Sequence, residues 1–251
     1  MFGPLLPTMG CMNTTTAAPP LASQPALRGI SSMATRQVLA ELVAGFAQQS
    51  GQSAAIESVG GVDAAKRVQA GEAFDLVILA TDAIDKLMAA GHLLPASKVD
   101  WVHSGVAVAV RAGAPLPDIS TEDAVRSAVL AAPSISYSTG PSGVALAQLF
   151  ERWGIASDIA SRMVQAPPGV PVGSLVASGE VALGFQQLSE LLHVPGIAIV
   201  GPLPPAIQIT TVFSAGVGAL SQQPEAARAL LAYLASPQAA EAKRRQGMAP
   251  A

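Results

Sequence analysis

Apolar residues recur at helical spacing from Met33 to Gln49, with Val38, Leu39, Leu42, Val43 and Phe46 on one face and Gly51 as the stop. Upstream, Ala26 to Ile30 is a short apolar run that ends in Ser31-Ser32. Downstream, Ser53 to Ser58 alternates weakly as a strand, Gly60-Gly61 reads as a tight turn, and Val62 to Ala70 reads as a short helix closed by Gly71. Phe74 to Ala80 is apolar almost throughout, the pattern of a strand covered on both faces of a parallel sheet. A helix from Ile84 to Ala90 follows, with Gly91 ending it. Strand and helix alternating in this way predict an open α/β sheet.

The pattern continues with a strand at Gly105–Arg111 and a helix at Thr121–Val129 capped by Thr121 or Ser120. Ser134 to Tyr137 reads as a buried strand, followed by a small-residue turn and a helix from Val144 to Trp153. Helices are expected at Ser157–Val164 and Ser174–Ser178, and Val181–Phe185 reads as a buried strand leading into Gln186-Gln187. A helix to His193, a strand at Ile197–Val200 and a stiff connector at Pro202, Pro204 and Pro205 come next. Ile207–Val217 is long and β-branched, and two helices, Pro224–Leu234 and Pro237–Gln246, close the chain before Gly247. Gly105–Arg111 and Ile207–Val217 flank a central segment. If both cross between lobes, the expected fold has two α/β lobes with open mixed sheets and a two-strand hinge. The lobes would be 26–108 with 212–251, and 109–211. A ligand would then lie between them, at the carboxyl ends of strands.

Composition narrows the chemistry. The chain of 251 residues is half hydrophobic and only 12% charged, with a net charge of −3, so no basic surface is available for a nucleic-acid backbone. The one cysteine, Cys11, allows no internal disulfide and no multi-cysteine metal site, and His92, His103 and His193 lack a metal-ligand spacing. No metal and no cofactor is expected. No run of 18 apolar residues occurs, so no membrane span is expected. Residues 1–25 read as a disordered tail rich in proline and threonine, without the basic start and longer apolar stretch of a secretory signal.

Three strand-to-helix junctions share one design. They carry Ser31 and Ser32, then Gly60 and Gly61, then Ser138, Thr139, Ser142 and Gly143, with Ser138 or Thr139 as helix cap and Pro141 near the first helical position. Hydroxyls beside the unpaired N–H groups of a helix N-terminus favour an anion. Alone, each is an ordinary capped turn; together they predict a cleft for a small anionic ligand. The Gln187 amide and the loop Pro167-Pro168-Gly169-Val170-Pro171-Val172 are placed to complete it.

Residues 27–251 resemble the molybdate-binding branch of the type II periplasmic solute-binding proteins. The motifs are Ile30-Ser31-Ser32, Val68-Gln69-Ala70-Gly71-Glu72-Ala73-Phe74-Asp75-Leu76, Leu183-Gly184-Phe185 and Ser236-Pro237-Gln238-Ala239-Ala240-Glu241. The resemblance implies two lobes joined by a hinge, a monomer, a periplasmic location and an ABC transporter permease as partner; the unrecognisable signal sequence points instead to the cytoplasm. It also implies Ser32 and Gly60 or Gly61 as first-lobe ligands, and Ser142, Val170 and Gln187 as second-lobe ligands. The chain departs from that branch where Gly60-Gly61 replaces a hydroxyl residue and Gln187 replaces a tyrosine. Both changes suit a carboxylate larger than a tetrahedral oxyanion. Aconitate-isomerase-like proteins resemble this branch too, which adds the alternative of an isomerase acting on a small tricarboxylic acid. Such an enzyme needs a base beside the substrate carbon. Tyr137 is the first candidate, ahead of Asp82 and Glu190, and Arg28 and Arg36 are candidate carboxylate partners.

Overall fold

The computed structural model describes residues 25–167 and 169–251; the expected tail up to residue 24, with Cys11, lies outside the described residues, as does Pro168 of the proline-rich loop. The first half opens with β1 (Leu27–Ser32), a 3-10 turn (Met33–Thr35) and α1 (Arg36–Ser50). Then come β2 (Ala54–Val59), α2 (Gly61–Gln69), β3 (Leu76–Ala80), α3 (Thr81–Ala89) and the long β4 (Val99–Arg111). The middle holds α4 (Glu122–Ala131), β5 (Ile135–Tyr137), α5 (Pro141–Arg152), α6 (Ala156–Ile159), β6 (Met163–Gln165), α7 (Val172–Ser178), β7 (Leu183–Gln187), α8 (Leu188–Leu191) and β8 (Ile197–Pro202). The chain closes with β9 (Thr210–Val217), α9 (Pro224–Ala235), α10 (Ala240–Arg245) and β10 (Met248–Pro250).

The strands follow the order β2-β1-β3-β9-β4-β7-β5-β6, with β8 and β10 also paired to β4. β1, β2 and β3 run parallel, as do β5, β6 and β7, while β4 is antiparallel to each of its neighbours. Parallel order is what a chain of alternating strands and helices produces, because each helix returns the chain to the same end of the sheet. The fold is therefore α/β with two sets of parallel strands. β4 belongs to both: its first half pairs with β9 and β10, its second with β7 and β8.

The core divides in the same way. Trp101 and Val102 of β4 join Leu76, Ile78, Phe213 and the inner faces of α1 and α9. Ile30, Val77, Leu79, Ile84 and Leu87 fill the opposite face of that sheet, under α2 and α3. Val106, Val108 and Val110, further along β4, pack with Phe150, Leu183 and Phe185 in a second core. Gly184 is set by packing: a Cβ there would stand 2.5 Å from Val176 Cγ2, so only a glycine lets α7 lie directly on β7.

Several sequence expectations are corrected. The strand expected at Gly105–Arg111 begins at Val99, because strand pairing with β9 carries it through Asp100, His103 and Ser104. Val164 is not helical but lies in β6, paired with Ser136 of β5. Ile207 closes a 3-10 turn, and β9 starts at Thr210. β10, three residues long, has no visible periodicity and exists through its pairing with β4. Gly60 and Gly61 both lie outside the left-handed region, so no tight turn demands them.

Lys243 of α10 is buried, 1% exposed, with Nζ 5.6 Å from the centre of the Trp101 ring. Desolvation holds its pKa below the ordinary lysine value of 10.5. A depressed lysine pKa means that the fold carries a charge it disfavours at neutral pH, a penalty that fades as pH rises through the folded-state pKa. Lys243→Met is therefore expected to raise the melting temperature at pH 7 by roughly 2–4 °C, corresponding to about 1 kcal/mol in a domain of this size. The gain should shrink as the pH approaches that of free lysine, as thermal melts across pH will show.

Candidate functional site

The carboxyl ends of β1 and β2 place hydroxyls side by side. Ser31 is fully buried and its Oγ lies 2.7 Å from Ser58 Oγ, its register partner on β2. Ser32 precedes the 3-10 turn with extended backbone, yet its hydroxyl makes no capping bond. Its carbonyl instead accepts from Thr35 Oγ1 at 2.9 Å. Gly60 is the N-cap of α2 and Gly61 its first residue; a Cβ on Gly61 would stand 3.7 Å from Ser32 Oγ. The first two predicted junctions thus form one surface, built from Ser31, Ser32, Ser58, Gly60 and Gly61. Ser58 was visible at the end of a strand but carried no distinct signal there.

The third junction joins β5 to α5. The N-cap is Gly140, and no side chain caps the helix, which corrects the expectation that Ser138 or Thr139 does so; Pro141 occupies the first turn as expected. Ser138 Oγ lies 3.5 Å from Ser142 Oγ, and Ser142 is buried at 6% exposed, while Thr139 is exposed. Gly143 is obligatory, since a Cβ would fall 1.8 Å from the Ser138 carbonyl oxygen. That close approach folds Ser138 back over the first turn of α5.

Val170 points its side chain outward, and its N–H donates to Pro167 O at 3.0 Å within the loop. Gln187, at the end of β7, is 4% exposed and its Nε2 donates to Thr211 Oγ1 of β9 at 3.2 Å. The neighbouring Gln186 faces the other side, where its Oε1 accepts from Gly173 N of α7 at 3.2 Å. The two halves approach one another: α8 packs on the Met33–Thr35 turn, and α5 packs on β9. His193 Nε2 donates to Gln246 Oε1 at 2.6 Å, a further contact between α8's end and α10's end.

The candidate charged residues divide sharply. Tyr137 is half-buried and packs against the second core, as an aromatic closing a buried strand would. Asp82 is exposed in the first turn of α3, whose N-cap is Ala80, so it is not the cap. Arg28 is removed from the junction: it lies near the opposite end of β1, ion-paired to Glu72 and 4.7 Å from the Phe74 ring centre. There Arg67 also pairs with Glu57 and Glu72 at 2.7 Å each, and hydrogen bonds from Arg67 and then Arg28 hold the Glu72 carboxyl down to about 2. Arg36 is exposed and lines a groove of about 720 Å³ between α1 and β2. Glu190 of α8 differs from all of these. Burial pushes its carboxyl up to about 7 from an ordinary 4.5, against the pull of a hydrogen bond from Gln186.

The sequence profile of the family described as bacterial extracellular solute-binding protein matches residues 27–249. A relative named aconitate isomerase, from a Pseudomonas species, is 41% identical over 256 residues, covering 98% of this chain and 97% of that protein. Among solved structures, the periplasmic molybdate-binding protein of Azotobacter vinelandii superposes with a TM-score of 0.74 at 21% identity, over 88% of this chain and 98% of that one. The sulfate-binding protein of Mycobacterium tuberculosis superposes with a TM-score of 0.73 at 16% identity, over 90% and 87%. The tungstate-binding protein of Desulfovibrio alaskensis gives 0.67 at 15% identity, over 91% and 99%. The chain belongs to the bacterial extracellular solute-binding protein family and has its two-lobe fold. Among the described residues, no helix is long and apolar enough to cross a membrane.

A raised carboxyl pKa stabilises the fold only where the group is protonated. Glu190→Gln should therefore match the parent protein near pH 4, below the ordinary value of 4.5. Above about pH 7 it should melt higher, by roughly 6–12 °C, because a shift of this size is worth about 3 kcal/mol. Equal melting temperatures at pH 8 would show that the carboxyl is not desolvated.

Proposed function

We propose that this chain binds a small polycarboxylic acid anion between its lobes, taken here as 26–108 with 212–251, and 109–211. The observation that carries the reading is the pairing of two neutral, hydroxyl-lined helix N-termini with the buried amide of Gln187. Ser31, Ser32, Gly60 and Gly61 contribute from one side, and Ser138, Thr139, Ser142, Gly143, Val170 and Gln187 from the other. Backbone N–H groups and hydroxyls hold an anion without a cation, because each donor points a partial charge at it and the helix dipole adds to them. The carboxylate preference rests on residue types: glycines leave room at the first junction, and a glutamine both donates and accepts. A binder of this kind would act outside the cytoplasm as a monomer and hand its ligand to an ABC transporter permease.

A second reading is favoured by the relative named aconitate isomerase, which matches this chain over nearly its whole length. Here the bound acid is turned over by an allylic proton shift. A base takes the proton from the carbon beside one carboxylate, the double bond moves by one position, and a proton returns to the far allylic carbon. Tyr137, which ends β5 beside the Ser138–Gly143 junction, is the first candidate for the base; the Glu190 carboxyl is held by Gln186, on the face of β7 turned away from Gln187, and comes second.

Calorimetric titration of the chain with molybdate, tungstate, sulfate, phosphate, citrate and both aconitates tests the first reading. The tricarboxylates should bind and Ser142→Ala should weaken them by about 1–3 kcal/mol, the loss expected for a donor to a charged group. Binding confined to tetrahedral oxyanions would overturn the carboxylate preference. Proton NMR of the aconitates in deuterated buffer tests the second. Interconversion with deuterium uptake, abolished in Tyr137→Phe, is expected; binding without turnover removes the isomerase.

A further inference from the structure

Two buried polar atoms near the hinge lack partners. Ser104 of β4 is fully buried, and its Oγ has no hydrogen-bond partner among the described residues. Gln187 uses Nε2 on Thr211, but its Oε1 is equally without one. A buried polar atom left unpaired costs about 1–3 kcal/mol, so two in one place require an explanation. They belong together. Thr211 is the register partner of Ser104 across β4 and β9, and Gln187 is the register partner of Val106, two residues along β4. Residues two apart on a strand, and those directly opposite on a neighbour, share a face. Gln187 therefore reaches over β4, from β7 on one flank to β9 on the other, across the face that carries Ser104.

We propose that Ser104, Thr211 and Gln187 form the floor of the ligand cleft and take a second polar group of the bound acid, beyond the carboxylate held at the helix N-termini. This rests on the reading of the interlobe cleft as the ligand site. The floor's chemistry selects its ligand. Ser104 and Thr211 can each donate or accept, and the amide of Gln187 offers both N–H and C=O. If Gln187 turns about its last bond, Oε1 accepts from the Thr211 hydroxyl and Nε2 faces the ligand instead. The floor thus answers a carboxylate, a protonated carboxyl or a hydroxyl with equal ease. A tetrahedral oxyanion carries all its acceptors on one centre, whereas a polyfunctional acid spreads its polar groups along a carbon chain and so suits two separate sets of partners. The ligand class is a polyfunctional acid whose polar groups stand on a carbon chain. The lobes part to admit it, since all three side chains are at most 9% exposed as the protein stands.

Calorimetry on the whole chain with citrate, tricarballylate, trans-aconitate and acetate tests this. Ser104→Ala and Thr211→Val should each weaken the three tricarboxylates about tenfold and leave acetate, which has one carboxylate, within twofold. Thr211→Ser should restore the parent affinity, since it keeps the hydroxyl. Unliganded Ser104→Ala should melt no lower than the parent, because it removes an unpaired hydroxyl rather than a contact. Equal losses for acetate and the tricarboxylates, no loss at all, or a lowered melting temperature of free Ser104→Ala would overturn the floor and leave the cleft reading intact. If the parent chain binds none of these acids, the cleft reading itself fails, and the floor with it.

Discussion

One strand is shared by both halves of this protein, and the rest of the architecture depends on it. β4 is thirteen residues long, and its hydrogen bonds are divided between β9 and β10 at one end and β7 and β8 at the other. Each half supplies its own parallel strands and its own core, and neither can drift along β4 without breaking a ladder. The carboxyl ends of the two parallel sets must then face the region where β4 passes between them. That placement alone gathers the loops after β1, β2, β5 and β7, whatever residues they carry.

What those loops carry decides the electrostatics. The candidate ligands are neutral, while the ion pairs of Arg28 and Arg67 with Glu57 and Glu72 are drawn to the far end of β1. An unpaired guanidinium close to the cleft would bind anions in general, through a field that reaches about 10 Å at ordinary salt. Hydroxyls and amides act only at contact distance and in fixed directions. A neutral site therefore discriminates by the geometry of its ligand more than by its charge. The net charge of −3 is compatible with anion binding for the same reason.

Much of this was legible in the sequence, for identifiable reasons. The run from Phe74 to Ala80 reads as a strand covered on both faces, realised as β3 over Leu76–Ala80, and Val38 to Phe46 reads as a one-faced helix, so the α/β alternation followed. The hydroxyl junctions were legible because they interrupt apolar runs. The first half of β4 was hidden, since Asp100, His103 and Ser104 break the alternation that its pairing with β9 enforces. Thr211 and Ser104 were hidden as site candidates for a related reason: a hydroxyl inside a strand reads as an ordinary strand residue until the register places it opposite another. Glu190 was visible, but its distinction is burial, which no local pattern reports.

Gly60 and Gly61 sharpen the argument about ligand size. Glycines at a strand-to-helix junction suggest backbone conformations closed to other residues, yet Gly60 has φ −54 and Gly61 opens a regular helix, so any residue would adopt these angles. Their use must lie in what they omit. Around Gly61 the nearest atoms to an added Cβ are those of Ser32, at 3.7 Å and 3.9 Å, so a side chain is sterically admissible there. A small side chain would gain helix propensity and lose nothing in packing. Its absence keeps the ground beside Ser32 open and leaves the α2 N–H groups accessible. A tetrahedral oxyanion would gain more from a hydroxyl at that point than from space. On the proposed reading, that open ground serves a ligand that extends past Ser32 toward α2, as a branched carbon chain bearing several carboxylates does.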